Sequence, residues 1–195
     1  MLVEEALEDR REPAAVLGSD VVYEGRVWAV RRDRFAYGDG SITREYVDHP
    51  GAVAILAVDD DDRVLLIRQY RHPIRCRDWE LPAGLLDVHG EDPLQAARRE
   101  LAEEADLAAA RWSLLADFFT SPGGSSESVQ VYLARDLSVA PEEFHRMDEE
   151  ADIEKRWVTL DEAVRGVLER RLRNSILSIA VLALHAASRE PHAEG

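Results

Sequence analysis

The stretch Glu80–Leu107 reads ELPAGLLDVHGEDPLQAARRELAEEADL and determines how the surrounding chain is expected to fold. Asp92 is a good helix N-cap, Pro93 suits the first helical position, and Gln95 completes an approximate capping box. Apolar residues then recur at helical spacing, at Leu94, Ala97, Leu101 and Ala105. The pattern predicts a helix that begins at Pro93 and follows a loop containing Leu81–Gly84.

Three glutamates, Glu100, Glu103 and Glu104, fall on one face of this predicted helix, because positions three and four apart are neighbours. Like charges on one face repel and cost about a few tenths of a kcal/mol per pair. A solvated acidic surface is the ordinary interpretation of such a face. A site for Mg²⁺ or Mn²⁺ is the other, because hard divalent cations prefer carboxylate oxygens. The preceding glycine loop and the neighbouring Arg99 favour the metal site.

The same stretch resembles the Nudix box, the signature of hydrolases that act on nucleoside diphosphates linked to another moiety. The matching residues are Gly84, Glu91, the segment 99–104 and the closing aliphatic Leu107. Two departures from the box are present: six residues rather than five separate Gly84 from Glu91, and Asp106 replaces a glycine. Asp106 is expected near the helix C-terminus, where glycine tolerates a left-handed backbone better than aspartate does.

The resemblance implies a divalent metal site on the helix. Its ligands would be the carboxylates of Glu100, Glu103 and Glu104 and the backbone carbonyl of Ala83, with Glu103 also counted among the catalytic residues. Mg²⁺ is the expected metal, with Mn²⁺ as the substitute. Arg99 is expected to pair with Glu91 and to brace the loop against the helix.

The resemblance also implies a water-activating glutamate outside the box. The acidic segment 141–154, PEEFHRMDEEADIE, occupies the corresponding position in the chain. Glu149 and Glu150 are the candidates, with a slight preference for Glu149. A mobile, solvated loop is the alternative interpretation of this segment.

Pro122 lies fifteen residues beyond Leu107. A proline at about this distance resembles the pattern of the ADP-ribose pyrophosphatase subgroup of the Nudix family. The alternative interpretation is that Pro122 is only a turn residue in a loop. The implied reaction is hydrolysis of ADP-ribose to AMP and ribose 5-phosphate. The side chains expected to contact this nucleotide-sugar substrate are Arg68, Arg71, Glu80, Trp28 and Arg44. Packing in the core or on the surface is equally compatible with Trp28 and Arg44.

Composition limits the function further. The formal net charge is −15, from 39 acidic and 24 basic residues, which argues against nucleic-acid and anionic-membrane binding. Cys76 is the only cysteine, so an intrachain disulfide is excluded, as is usual in a reducing compartment. No apolar run has membrane-spanning length, and the N-terminus lacks a signal pattern. A cytoplasmic protein is therefore expected.

Periodicity predicts the order of the remaining elements. A loose or weakly helical arm is expected over residues 1–17, and an apolar strand covered on both faces over Gly51–Val58. Asp59–Asp62 is expected to form an exposed hairpin turn. Further strands are predicted at Val21–Tyr23, Val27–Phe35, Ile42–His49, Val64–Tyr70, Trp112–Phe119, Ser128–Leu133 and around Trp157. Two C-terminal helices are predicted, from the cap Thr159 to about Arg171 and from the cap Asn174 to about Ser188.

These elements predict an α/β fold. By resemblance, residues 50–195 form a Nudix α/β/α sandwich with a mixed sheet, preceded over residues 1–49 by an arm and a small antiparallel sheet. In the ADP-ribose pyrophosphatase subgroup such a sheet crosses to a second subunit and helps to form the substrate site, which implies a homodimer. Three alternatives stay open: hydrolysis of another nucleotide sugar such as GDP-mannose, a non-catalytic ligand-sensing Nudix domain, and, more weakly, an acidic Ca²⁺ buffer.

Overall fold

The computed structural model describes residues 7–141, 144 and 152–189, which fall into two compact units. The first unit is the chain up to His49 together with residues 123–125. The second unit is the remainder of the chain, from Pro50 to Pro122 and from Ser126 onward.

The first unit is a three-stranded antiparallel sheet in the order β1-β2-β3, as predicted. The strands are β1 (Val16–Glu24), β2 (Ala29–Tyr37) and β3 (Gly40–Asp48). The arm is shorter than expected, because Val16 already pairs with Phe35 of β2. Residues 7–15 contain no helix, so the weakly helical interpretation is wrong for them. Arg31 of β2 donates to Asp48 of β3 at 2.9 Å and ties the sheet together.

The described residues of the second unit form seven strands in two sheets, β4 (Ala52–Ala57), β5 (Arg63–Arg71), β6 (Cys76–Glu80), β7 (Ala83–Leu85), β8 (Leu107–Phe119), β9 (Ser128–Val139) and β10 (Glu154–Thr159). The larger sheet has the order β7-β4-β9-β8 and is mixed, because β4 runs parallel to β9 while the other pairs are antiparallel. The smaller sheet, β10-β5-β6, is antiparallel. The mixed sheet of the prediction is therefore confirmed.

Sequence reasoning missed β6 and β7 but predicted the turn between β4 and β5. β6 is a charged segment, and β7 has only three residues, so neither shows a clear hydrophobic period. Asp59–Asp62 does form a turn, in which the Asp59 carboxylate accepts from the backbone N–H of Arg63 at 2.8 Å. The turn closes a short hairpin, as predicted, in which Val58 and Val64 form an antiparallel bridge and the N–H of Asp59 donates to the carbonyl of Arg63 at 3.0 Å. Beyond this bridge, β4 and β5 belong to different sheets.

Where the structure describes the second unit, its three α-helices are α1 (Pro93–Ala105), α2 (Leu160–Leu168) and α3 (Ser175–Ala187). Each begins at a predicted cap, where the side chain of Asp92, Thr159 or Asn174 accepts a backbone N–H of the first turn. The Asp92 carboxylate accepts from Leu94 rather than from the third helical residue, so its capping box is not formed as predicted.

α2 ends three residues before the predicted Arg171. Arg170 has a positive φ of 61° and turns the chain back on the helix. The backbone N–H groups of Arg171 and Leu172 then both donate to the carbonyl of Gly166. This hydrogen bonding satisfies a carbonyl at the helix end and stops the helix there.

The core lies on both faces of β4, whose six residues are all buried. Val53 and Ile55 belong to the cluster that includes Leu101 of α1, whereas Ala54 and Leu56 belong to the cluster that includes α2 and α3. Burial on both faces explains why β4 is apolar at every position. The acidic helix α1 is thus packed on one side of the central strand and the C-terminal helices on the other. Among the described helices, none is long and apolar enough to cross a membrane.

Candidate active site

The α1 face that carries the glutamates lies directly against the glycine loop. A Cβ atom added at Gly84 would stand 1.9 Å from Oε1 of Glu100 and 2.0 Å from its carboxyl carbon. These distances are far below van der Waals contact, so the position of the Glu100 carboxylate depends on the absence of a side chain at residue 84.

Glu104 is the most enclosed carboxylate of α1, with only 6% of the residue exposed. Its Oε2 accepts from the backbone N–H of Ala83 at 2.9 Å. Ala83 begins β7 and is paired with Ala54 of the buried strand β4. The last turn of α1 is therefore tied to the centre of the fold through one charge-assisted hydrogen bond.

Arg99 joins three carboxylates of the site. Its guanidinium donates to Glu91 at 3.2 and 3.0 Å, as predicted, and also to Glu100 at 2.6 Å and Glu103 at 3.2 Å. The hydrogen bond from Arg99 holds the pKa of Glu91 below its usual value. The hydrogen bond to Glu91, with the charges of Glu100 and Glu103, raises the pKa of Arg99, although burial opposes this shift. One cation faces three carboxylates here, so the cluster keeps a net negative charge.

The carboxylates predicted to bind the metal do not converge on one point in this structure. Glu100 and Glu103 both contact Arg99, whereas Glu104 contacts Ala83. Within the described part of the chain, no three side chains of His, Cys, Asp or Glu are arranged so that they could hold a metal ion. The assignment of these carboxylates to a metal stays a prediction.

A second charged group lies on the neighbouring strands β5 and β6. Arg71 donates to both carboxylate oxygens of Glu80, at 2.8 and 2.6 Å, and Glu80 is only 5% exposed. Arg68 donates to Glu154 of β10, and its guanidinium carbon lies 5.0 Å from the centre of the Trp79 ring. The three substrate residues predicted on these strands are thus all held by ion pairs within the second unit.

The family follows from a direct match. The NUDIX domain model matches residues 48–178, about two thirds of the chain. This chain belongs to the Nudix family. A relative from Mycobacterium tuberculosis named ADP-ribose pyrophosphatase is 47% identical, covering 88% of this chain and 83% of the relative. A relative of the same name from Bacillus subtilis is 36% identical, covering 85% of this chain and 89% of the relative.

The Nudix fold is matched by a solved structure as well. The crystal structure of an ADP compounds hydrolase superposes with a TM-score of 0.72 and covers 92% of this chain and 96% of that chain. At 21% sequence identity, the match concerns the fold. The predicted fold class is confirmed.

The structure shows where both departures from the Nudix box lie. The extra residue lies in a turn where Gly90 has a φ of 81° and the backbone N–H of Glu91 donates to the carbonyl of Val88 at 3.1 Å. Glu91 therefore still reaches Arg99. Asp106, at the glycine position, adopts the expected left-handed conformation, with φ 60° and ψ 31°.

The remaining predicted residues of this Nudix protein lie elsewhere. Trp28 and Arg44 are in the first unit, where Trp28 is exposed and Arg44 donates to the neighbouring carbonyl of Thr43 at 2.8 Å. Glu149 and Glu150 lie outside the described residues.

Sequence reasoning missed three side chains that contact the Nudix site or its supports: Trp79, Glu154 and Lys155. Trp79 stands over Arg68, and Glu154 pairs with Arg68. Lys155 contacts the C-terminal end of α1. In the sequence, only Trp79, an isolated tryptophan just before the box, offered a signal that could have found one of these residues. Glu154 and Lys155 of β10 look like ordinary surface charges in the sequence.

Proposed function

We propose that this Nudix protein hydrolyses ADP-ribose to AMP and ribose 5-phosphate in the presence of Mg²⁺ or Mn²⁺. The observation that carries the proposal is the last part of α1, where Glu100 lies against Gly84 and Glu104 is bound to Ala83. The M. tuberculosis relative, named ADP-ribose pyrophosphatase, supports this choice of substrate, because it is 47% identical over most of both chains.

The donor chemistry of the site fits a hard divalent cation. Glu100, Glu103 and Glu104 supply carboxylate oxygens from a single stretch of helix, and the Ala83 carbonyl is the further oxygen that the family resemblance implies. The surplus of negative charge left after pairing with Arg99 favours cation binding over binding of a bare diphosphate. A bound divalent cation would neutralise charge on the diphosphate and lower the pKa of water beside it.

The residues of the chain would then position the reactants and move one proton. Arg99 fixes the orientation of Glu100 and Glu103, so both carboxylates are preorganised before substrate arrives. The oxygen of a water molecule bonds to one phosphorus while the bridging oxygen leaves with the other phosphate. Glu149 or Glu150 would accept the proton of that water. For these two residues the support is the likeness of their segment to the family's catalytic loop.

Substrate contacts are proposed on β5 and β6. Glu80 holds the Arg71 guanidinium through two hydrogen bonds, and a guanidinium in a fixed orientation can donate to phosphate in a fixed direction. The Arg68 side chain is 36% exposed and is held by its ion pair with Glu154, so the accessible part of its guanidinium can donate to a ligand oxygen. Trp28 and Arg44 are proposed as contacts to adenine or ribose.

A cytoplasmic homodimer is part of the same proposal. All nine residues of β1 are exposed, and they include Val16, Leu17, Val21, Val22 and Tyr23. β1 is also an edge strand of its sheet, and a long apolar edge tends to pair with another chain. Sedimentation velocity at micromolar concentration should show a dimer. A monomer at that concentration would refute a sheet that crosses to a second subunit. The exposed free thiol of Cys76 agrees with a reducing compartment.

The test is a substrate panel in which ADP-ribose, GDP-mannose, NADH and diadenosine polyphosphates are each supplied with Mg²⁺. AMP and ribose 5-phosphate should appear from ADP-ribose with the highest kcat/KM. A higher kcat/KM for GDP-mannose would assign a different nucleotide sugar. Tight binding of a ligand without any cleavage would instead assign a sensing domain.

A further inference from the structure

The C-terminal end of α1 has a backbone conformation that its residue does not favour. Asp106 follows the helix in the left-handed region, where glycine is the usual residue because it has no Cβ. The backbone of Asp106 is nonetheless fully used, since its N–H donates to Ala102 and its carbonyl accepts from Ala140, both at 3.0 Å. A favourable interaction of the Asp106 side chain would help to offset the strain at this position.

Lys155 of β10 supplies that interaction. Its ammonium donates to the carbonyl of Ala105 at 3.0 Å and to the carboxylate of Asp106. The Ala105 carbonyl is one of the last four of the helix, which lack partners within the helix, and a cation at a helix C-terminus is favourable. One side chain thus satisfies a helix-end carbonyl and pairs with the carboxylate of the strained residue.

We propose that Lys155 is a positioning residue that fixes the last turn of α1, and with it Glu103 and Glu104, onto β10. The inference rests on the proposed function, in which those two carboxylates bind the metal. Glu104 is two residues from Asp106, and its carboxylate reaches Ala83 only while the last turn of α1 keeps its position. The same strand also holds Arg68 through Glu154, so β10 links the helix end to a predicted substrate residue.

A neighbouring pair provides the contrast. Arg156, the next residue of β10, donates to Glu162 at 2.9 Å, and both side chains are about half exposed, at 57% and 43%. Such a surface pair contributes little. Lys155 is more enclosed, at 31%, and contacts a helix-end carbonyl as well as a carboxylate. Removing the charge at residue 156 is therefore a matched control for removing it at residue 155.

The experiment compares wild type with Lys155→Met, Asp106→Gly, the double variant and the control Arg156→Met. Three quantities are measured: the Mn²⁺ affinity without substrate, by electron paramagnetic resonance; kcat and KM for ADP-ribose; and hydrogen exchange of the amides in the last turn of α1. A thermal melt checks folding. If Lys155→Met does not fold, the same quantities are measured for Lys155→Gln, which keeps a donor for the Ala105 carbonyl.

Lys155→Met should lower Mn²⁺ affinity and kcat by about tenfold each, because partners that orient metal ligands typically matter to that degree. KM should stay within about twofold, and exchange at the end of α1 should accelerate. Adding Asp106→Gly should restore most of the loss, since glycine adopts the left-handed conformation without strain and removes the carboxylate that Lys155 neutralised.

Two results would overturn the role of Lys155: Mn²⁺ affinity of Lys155→Met equal to that of Arg156→Met, or no rescue by Asp106→Gly. A wild-type protein that binds Mn²⁺ but cleaves no ADP-ribose would refute the proposed function, and the Mn²⁺ comparison would still decide the role of Lys155. A wild-type protein with no Mn²⁺ affinity would overturn both.

Discussion

Replacing Gly84 with alanine should inactivate the enzyme while leaving it folded. The new Cβ would lie 1.9 Å from Oε1 of Glu100 and 2.5 Å from its Cγ, whereas real Cβ contacts essentially never fall below 3.0 Å. The carboxylate oxygen must therefore move by at least 1.1 Å, the difference between those limits. Because Cγ is also too close, rotating the carboxylate alone does not relieve the overlap. The whole end of the Glu100 side chain has to leave its place beside Arg99.

The size of the effect follows from that displacement. A misplacement of about 1 Å costs roughly a hundredfold in rate, or about 2.7 kcal/mol at 1.36 kcal/mol per tenfold. The free energy of unfolding should fall by about 1–3 kcal/mol, which leaves the protein folded, because the obstructing atoms belong to a flexible side chain at the surface of the core. kcat with ADP-ribose at saturating Mg²⁺ measures the first quantity, and urea unfolding measures the second.

Gly40→Ala is the control, because nothing lies within 4 Å of a Cβ there and its φ is not positive. This variant should match wild type in both assays. If Gly84→Ala keeps kcat within about threefold of wild type, a factor that corresponds to less than 1 kcal/mol, the Glu100 carboxylate is not needed where the structure places it. That result would refute the assignment of the acidic face of α1 as the reaction site.

Three further predictions concern single carboxylates. Glu104→Gln should keep the fold, because an amide oxygen can still accept the same backbone N–H. It should lower kcat by about a hundredfold or more, since charge neutralisation by the metal is worth several kcal/mol. A near-normal kcat would exclude a metal-binding role for Glu104. Glu149→Gln and Glu150→Gln should differ sharply in kcat, and two nearly normal variants would place the base elsewhere. Because Arg99 depresses the pKa of Glu91, the stability that Glu91 contributes is present above its unfolded pKa, near 4.5, and is lost as pH falls through the lower folded value. Urea unfolding of wild type and Glu91→Gln should therefore differ near neutral pH and converge in acid; an equal difference at both pH values would contradict the ion pair.

Much of the site could be predicted because its signals are local. The spacing of Glu100, Glu103 and Glu104 requires only that the segment be helical, and the cap at Asp92 with Pro93 fixed where the helix begins. The partnership of Arg99 with Glu91 came from the family resemblance. What the sequence did not show was that the same guanidinium also binds Glu100 and Glu103, because three acids compete for it and only packing decides the outcome.

Other parts of the site could not be predicted, because they join residues that are distant in the chain. Arg68 and Glu154 are 86 positions apart, and Lys155 and Asp106 are 49 apart. No period or motif links such pairs. They meet because β10 pairs with β5 and passes the end of α1, which depends on how the sheets and helices pack together. β6 was missed for a related reason, since its sequence shows no clear hydrophobic period and its pairing with β5 is a tertiary contact.

The sequence by itself determined that a capped acidic helix follows a glycine loop and that a fully apolar strand lies at the centre. Caps, helical periods and continuous burial are written in residues that are neighbours in the chain. Only the tertiary structure decided that Gly84 leaves room for Glu100 and that a lysine of β10 holds the strained residue at the end of α1. Contacts of this kind depend on the close packing of segments that are not neighbours in the chain, and a close-packed structure has no room for a side chain where it holds only a hydrogen atom.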